Sequence, residues 1–363
     1  MLIQRSSLVA LKLPYPRPVR WKDTVEDGCE FLLLRLHTDD GLEGVAEGPI
    51  KPTWTGTTRR ALAAALEDML LPALQGVDVM DVAAVRKRLS VFPENRLAKA
   101  LVDNACWDLR AQAQGVPLWK LWGGSNVVPV SWTVTREQPS LMAREAADMV
   151  ERYGFRVLKI KGGQGFETDA RALDEIRAAV GERVRFYVDA NMAYTQADTP
   201  AYVRLLADKG STHAEDPCDL RPNRWFRESQ AANPIPYVVD GRCLGIEDAE
   251  LFLEQGVRAI GLKAARVGAS IALDIARMAH AAGCIVNVGL HAESALGCFA
   301  SLNVAAAFPR RAESLPGEST FFLSYADQFT HASPQIRDGV VELDESVGLA
   351  PMVDWAKVER YRM

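Results

Sequence analysis

FRVLKIKGGQGFETDARALDEIRAAVGERVRFYVDAN, residues 155–191, is the stretch that decides the fold. It opens on an apolar run, Phe155 to Ile160, and passes through glycines into a segment whose apolar positions Leu173, Ile176 and Val180 recur at helical spacing. Gly181 stops that helix, and a second β-branched run follows from Val184 to Val188. A strand, a helix and a second strand in this order predict a βα unit with parallel strands.

The same texture continues on both sides. Downstream, a helix near Ala201 to Leu206 stops at Gly210, and strand Tyr237 to Val239 leads into a helix reaching Gln255. Strand Ala259 to Leu262 is followed by Ile271, Ile275 and Met278 at helical spacing, then by strand Cys284 to Val288. With Val128 to Val134 taken first and Glu313 to Leu315 last, the chain offers about eight strands, the number that closes a barrel. Upstream, residues 29–36 and 42–47 flank Asp39-Asp40-Gly41, a hairpin signal. Leu62, Leu66, Met69, Leu70 and Leu74 then form a helical stripe ending at Gly76, and residues 97–114 form a second long helix closed by Gly115 and Pro117. This first part is an α+β unit with its own small core, and no low-complexity linker separates it from the barrel.

At 363 residues, 48% hydrophobic and 25% charged, the chain is an ordinary globular one with a sizeable core. A net charge of −5 and the lack of any basic run oppose nucleic-acid and membrane partners. Lys12 interrupts the apolar N-terminus and no small-residue cleavage site follows, so no secretory signal is expected. Cys29, Cys106, Cys218, Cys243, Cys284 and Cys298 form no C-x-x-C pair, as buried thiols do in reducing compartments; the cytoplasm is expected.

Catalytic side chains of a βα barrel come from the C-terminal ends of its strands, so a functional set recurs at the spacing of one unit. Lys161, Asp189, Glu215, Asp240 and Lys263 each end a predicted strand, with separations of 28, 26, 25 and 23 residues. Each alone has a plainer reading. Lys159-Ile160-Lys161 could be a solvated strand end, Asp189 a helix cap, Glu215-Asp216-Pro217 a turn, and Asp240-Gly241 a hairpin dipeptide. Against this, Lys159 and Lys161 share one strand face by period two while Leu158 and Ile160 take the other, so both ammonium groups enter the barrel mouth. Three carboxylates without histidine or cysteine form a hard oxygen set suited to Mg²⁺ or Mn²⁺. Held close, they repel strongly unless a cation joins them.

Other signals are weaker. Lys161-Gly-Gly-Gln-Gly165 matches no phosphate-binding motif and reads as a tight βα turn. His213 shares the inward face of Glu215, as filler or as support for the site. His291 and Glu293 border the mouth after strand seven, where substrate contact and rim solvation are equal readings. Trp54 is either an anchor in the first domain's core or the tip of a loop over the site.

Seven segments together resemble the enolase superfamily, and within it the muconate cycloisomerase subgroup. They are Gly-Leu-Glu-Gly-Val-Ala-Glu-Gly (41–48), Ala-Leu-Val-Asp-Asn-Ala-Cys-Trp-Asp-Leu (100–109), Gly-Val-Pro-Leu-Trp-Lys-Leu-Trp-Gly-Gly (115–124), Lys-Ile-Lys, Val-Asp-Ala-Asn, Glu-Asp-Pro and Leu-Lys-Ala-Ala-Arg-Val-Gly. The resemblance spans essentially the whole chain. It implies an α/β fold, a modified (β/α)7β TIM-type barrel over residues 126–325, under an α+β capping domain made of residues 1–125 and the tail 326–363. It implies Asp189, Glu215 and Asp240 as Mg²⁺ ligands and Lys161 and Lys263 as acid/bases, with Lys159 holding the substrate carboxylate. Asn191, His213, His291, Glu293 and Trp54 are the further candidates for substrate contact or support.

Three departures stand out. Asp240-Gly241-Arg242 replaces the family's common Asp-Glu-Ser. Lys263 stands on strand six where the mandelate racemase subgroup carries aspartate, and His291 falls two places later than that subgroup's histidine. Residues 316–322, Pro-Gly-Glu-Ser-Thr-Phe-Phe, stand where similar dipeptide epimerases carry Asp-x-Asp. The expected activity is proton abstraction α to a carboxylate, by a racemase or epimerase of an amino-acid derivative or related acid. A cycloisomerase of the muconate type, a syn-dehydratase and a catalytically silent binding protein are the alternatives. The expected partners are a small-molecule carboxylate and further copies of the chain.

Overall fold

The computed structural model describes residues 1–21, 24–309 and 314–363. The N-terminal part is a three-stranded antiparallel meander, β1 (Ile3–Arg20), β2 (Val25–Thr38) and β3 (Glu43–Ile50). The hairpin expected around Asp39 is the β2–β3 turn, with His37 opposite Glu43. Strand β1 escapes pattern reading because it is an edge strand: Pro14, Pro16 and Pro18 interrupt it, and its register slips between Pro14 and Val19. The helix Arg96–Gln114 packs across β3, and Gly44 and Gly48 give it room: a Cβ on Gly44 would lie 2.5 Å from the Ala105 carbonyl oxygen.

The barrel runs in parallel through β5 (Trp132–Val134), β6 (Val157–Lys161), β7 (Arg185–Asp189), β8 (Ser211–Glu215), β9 (Tyr237–Val239), β10 (Ala259–Leu262) and β11 (Ile285–Val288), in spatial order. Residues Val128 to Val134, expected as one strand, are broken in two. Val127–Pro129 is a separate strand, β4, which pairs with a C-terminal hairpin of β12 (Ile336–Arg337) and β13 (Val340–Glu342). The break falls where the Val130 amide turns to the Gly339 carbonyl at 2.9 Å and the Ser131 amide to the Gly317 carbonyl at 2.9 Å.

The eighth position also differs. Glu313 lies outside the described residues, and Leu315 belongs to no strand. The ring closes instead through Gly317 and Glu318, by a parallel bridge between Val130 and Gly317 and a 2.8 Å hydrogen bond from the Glu318 amide to the Val288 carbonyl.

Outward-facing Leu158 and Ile160 join Met142, Ala146, Leu173 and Ile176 in the core between sheet and helices. Lys159 and Lys161 take the other face and are 1% and 7% exposed. The Gly162–Gly165 turn is built around Asp169, which accepts the amides of Gly163 at 2.7 Å and Gln164 at 3.1 Å and the Tyr202 hydroxyl at 2.7 Å. Those donors are spent on the protein itself, so no phosphate cradle forms. The six cysteines are all buried and form no disulfide, and among the described residues no helix is long and apolar enough to cross a membrane.

Polar ties join the first part to the barrel loops. Asp103 accepts from the Ser270 amide at 2.8 Å and its hydroxyl at 2.6 Å, Asn104 bonds Ala264 and Ala269, and Trp107 donates to the Ser270 hydroxyl. These ties grip the segment following Lys263. The C-terminal segment is held in turn by Asp108, which accepts the amides of Val45, Leu349 and Ala350, and by pairing of Arg362 with Leu11. On β3, Glu47 accepts from the Ser294 amide at 2.8 Å and from its hydroxyl.

Burial pushes the Glu47 carboxyl up to about 8 from an ordinary 4.5, and Glu293 beside it up to about 7. Both carboxyls bind protons more tightly in the folded chain. Their contribution to stability is full below about pH 4.5 and is lost as pH rises through these raised values, at no more than about 1.4 kcal/mol per group per pH unit. Thermal melts between pH 5 and pH 9 are expected to show a falling midpoint, and Glu47→Gln, which keeps an acceptor for Ser294, is expected to flatten that fall.

Candidate active site

Five adjacent strands deliver the charged set to one end of the barrel. Lys161 ends β6, Asp189 ends β7 and Glu215 ends β8, and these three stand side by side in register. Asp240 and Lys263 follow the last residues of β9 and β10. The order across the sheet is lysine, three carboxylates, lysine. All five side chains are buried.

The three carboxylates do not meet at one point in the chain by itself. Among the described residues no three histidine, cysteine, aspartate or glutamate side chains are grouped as metal ligands. Each carboxylate is turned onto a lysine instead: Lys161 to Asp189 at 2.7 Å, Lys159 to Glu215 at 2.7 Å and to Asp189 at 3.1 Å, and Lys263 to Asp240. The carboxylates still repel one another, Asp189 and Asp240 both bearing on Glu215, and the ammonium groups of Lys159, Lys161 and Lys263 offset part of that repulsion.

Glu318, in the segment 316–322, is part of the set although nothing in its local sequence marks it. It accepts from Lys159 at 3.1 Å, the Tyr187 hydroxyl at 2.7 Å, Asn287 at 3.1 Å and the Leu290 amide at 3.1 Å. The signal for it was spacing: it follows Lys263 by 55 residues, two further βα units, but the last strand was expected three residues too early. Arg266 was also missed; it holds Asp240 Oδ1 at 2.9 Å, while Lys263 holds Oδ2.

Electrostatics separate the two neighbouring lysines. Burial alone would lower Lys159, but Asp189, Glu215 and Glu318 outweigh it and hold its ammonium well above the ordinary lysine value. Lys161 moves the other way, lowered by burial and by the Lys159 charge despite Asp189. Glu215 is pushed well up by burial and by Asp189, Glu318 and Asp240 around it, and its Oε2 is buried without a hydrogen-bond partner.

Of the other candidates, Asn191 braces both Asp189 and Lys161. Its amide groups donate to Asp189 at 2.8 and 3.0 Å, and its side-chain oxygen accepts from Lys161 at 3.3 Å. His213 faces inward but toward the other end of the barrel. Its bond is to Thr212, and burial with Arg258 and Arg185 lowers it to about 4. It fills the interior and does not support the site. Glu293 is buried behind the mouth, on the His291 amide and Ser301. Trp54 settles between its two readings: on the short helix Pro52–Thr55 its ring meets Trp21 at 4.9 Å and His291 at 5.7 Å, with the Lys263 ammonium 6.0 Å from its centroid. It is at once anchored and part of the roof.

Gly241 also has an explanation. Asp216 accepts its amide at 2.7 Å and that of Asp240 at 3.3 Å, so a carboxylate does support this turn, from a neighbouring strand. The room that a side chain at 241 would need is taken by Met192, whose Cε lies 2.3 Å from where a Cβ would be.

The fold and this arrangement of charges define an acid/base barrel enzyme. Residues 7–123 match the family described as Mandelate racemase / muconate lactonizing enzyme, N-terminal domain, and residues 141–357 match Enolase C-terminal domain-like. The chain belongs to this family of enolase-superfamily enzymes. A hydrophobic dipeptide epimerase from Enterococcus faecalis is 30% identical over 332 residues, 89% of this chain and 92% of that protein. The structure of a muconate lactonizing enzyme from Mycobacterium smegmatis, complexed with muconolactone, superposes with a TM-score of 0.94 at 27% identity and covers both chains fully. A dipeptide epimerase from E. faecalis complexed with Mg and L-Leu-L-Tyr gives 0.88 at 25% identity, covering 96% of this chain and 99% of that one.

Gly241→Ala is expected to be tolerated, because the Met192 methyl is the free end of a flexible side chain. Gly241→Glu must evict Met192 and sets a further carboxylate beside Asp216 and Asp240; a loss of about 1–3 kcal/mol is expected. Denaturant melts of Gly241→Glu and of Met192→Ala/Gly241→Glu check this, the second change restoring part of the loss.

Proposed function

We propose that this chain is a Mg²⁺-dependent isomerase that removes the proton α to a substrate carboxylate and returns one to the opposite face, as a racemase or epimerase of an amino-acid derivative or related acid. One observation carries the reading: Lys161 and Lys263 stand four strands apart, on opposite walls, with Asp189, Glu215 and Asp240 on the strands between. A planar enolate held there presents one face to each lysine. The buried thiols, joined in no disulfide, support a cytoplasmic setting.

The residues fit a hard divalent cation. The donor set is carboxylate oxygen throughout, and the unpartnered Glu215 Oε2 in a crowd of acids favours one more positive charge. Asp189, Glu215 and Asp240 would hold it. When bound, the ion supplies Lewis-acid stabilisation of the substrate carboxylate as charge builds on its oxygens.

The chain's own residues divide the remaining work. Lys159, locked by three carboxylates, keeps its proton and serves as the fixed cation that orients the substrate carboxylate. Lys161, lowered by burial and by Lys159, exchanges the proton at its Nζ from one side. Lys263 does so from the other, and Trp54 closes the mouth from above. Glu318 is a positioning residue that acts through Lys159.

Lys161→Ala and Lys263→Ala are each expected to abolish interconversion, by at least about 100-fold. Each is expected to retain α-proton exchange with D₂O for a single, opposite enantiomer. NMR across N-acyl amino acids, cyclic amino acids and hydroxy acids reads this out. If Lys263→Ala leaves both enantiomers exchanging, the two-base reading fails and a one-base cycloisomerisation or dehydration replaces it. Saturating Mg²⁺ is expected to raise the melting midpoint, by about 2.7 kcal/mol of stability at a hundred times its dissociation constant. Equal melting and equal activity in EDTA and in Mg²⁺ would remove the metal from the account.

A further inference from the structure

Arg136 stands two residues beyond the end of β5 and is 5% exposed. Its guanidinium reaches two backbone carbonyls: Nε donates to Gly162 at 2.6 Å and Nη2 to Ala190 at 3.1 Å. These carbonyls belong to the residues directly after Lys161 and Asp189. One planar fork thus ties the turns that leave two neighbouring strand ends, that of the lysine and that of its carboxylate partner. Burying a guanidinium costs free energy, because its charge and its donors lose water, and a neutral side chain of similar length would fill the same space at lower cost. What the fork adds is a fixed separation between the two turns.

The turns are packed closely around that fork. The Gly162 amide donates to the Asp189 carbonyl at 2.9 Å, and a Cβ on Gly163 would lie 2.6 Å from the Ala190 carbonyl oxygen and 2.9 Å from Arg136 Nη2. Asp169 grips the same turn through the amides of Gly163 and Gln164. The backbone that carries Lys161 is therefore held on several sides. Lys263, across the mouth, leans on none of these contacts. The helix Ala264–Val267 starts directly after it, its carbonyl accepts the amides of Arg266 and Val267 at 2.8 and 3.0 Å, and Asn104 holds the Ala264 carbonyl.

We infer that Arg136 is a positioning residue for one half of the reaction: by clamping the Gly162 and Ala190 carbonyls it fixes the reach of the Lys161 ammonium, and it leaves the Lys263 half untouched. The inference rests on the two-base reading of the site. A proton-transferring group has to be held to within about half an ångström of its working position, and a misplacement of about 1 Å is enough to cost most of the rate. Loss of the fork therefore acts on one face of the substrate and spares the other.

The test compares wild type with Arg136→Lys, Arg136→Met and Arg136→Ala at saturating Mg²⁺. Exchange of the α-proton in D₂O is followed separately for the L and D forms of N-acetylphenylalanine, proline and mandelate. Hydrogen exchange of the backbone amides, read by mass spectrometry, follows the turns without any substrate. Arg136→Met and Arg136→Lys are expected to lower kcat at least about ten-fold for one enantiomer, the same one whose exchange Lys161→Ala abolishes. KM for that enantiomer is expected to stay within about three-fold, and the other enantiomer to keep about its full rate. Added methylguanidine is expected to restore part of the lost rate in Arg136→Ala. In Arg136→Met the amides of Gly162, Gly163 and Ala190 are expected to exchange faster, while those after Lys263 do not change. An equal loss for both enantiomers, a loss confined to KM, or turns that stay protected in Arg136→Met overturns the inference and leaves proton abstraction intact. Turns loosened in Arg136→Met, with no α-proton exchange by wild type on any of the three acids, support the clamp and overturn the reaction.

Discussion

A single buried ammonium organises the mouth of this barrel. Lys159 is almost wholly enclosed, and only the carboxylates of Asp189, Glu215 and Glu318 make its charge tolerable there. The dependence runs both ways, since three acids packed together need that charge as much as it needs them. Its neighbour feels the result. Lys161 sits beside a cation held above the ordinary lysine value, and this, added to burial, moves the two lysines of one strand in opposite directions. Period two placed both on the inner face, and the contacts made there give them different chemistry.

Charge balance extends outward from Lys159 along two paths. Through Glu318 it reaches Tyr187, Asn287 and the Leu290 amide, so the residue that closes the barrel is also the residue that braces the ammonium. Through Asp189 it reaches Asn191 and Lys161. The roof is tied to the same ground. Asp103 and Asn104 hold the turn after Lys263, and Glu47 holds the loop after His291, so displacement of the N-terminal part would disturb the positions of both.

Much of this was readable from residue order. The βα rhythm placed Lys161, Asp189, Glu215, Asp240 and Lys263 at strand ends because each strand is short, apolar on its outer face and ended by a charged residue. The reading faltered where geometry ignores periodicity. Strand β1 is an edge whose prolines and exposed positions erase alternation, and the eighth barrel position is a bridge with no strand to recognise. Glu318 was overlooked for that reason. His213 shows the opposite failure: its face is right, but depth along a barrel axis is invisible to a period of two, and it lies beside Arg185 and Arg258 at the far end. Met192 and Asp216 were beyond reach, because contacts between neighbouring strand ends leave no mark in either segment alone.

The packing of Met192 against Gly241 limits the order in which this turn can change. Any side chain at 241, a methyl included, must shift the Met192 methyl, and a longer one must displace more of that side chain, whereas shortening Met192 first removes the clash. Of the two routes between this pair and one with glutamate at 241, the route that begins at 192 avoids this clash and the other meets it. Methionine at 192 therefore favours a small residue at 241. Grafting glutamate at 241 alone meets the Met192 side chain, and changing both positions together relieves that clash.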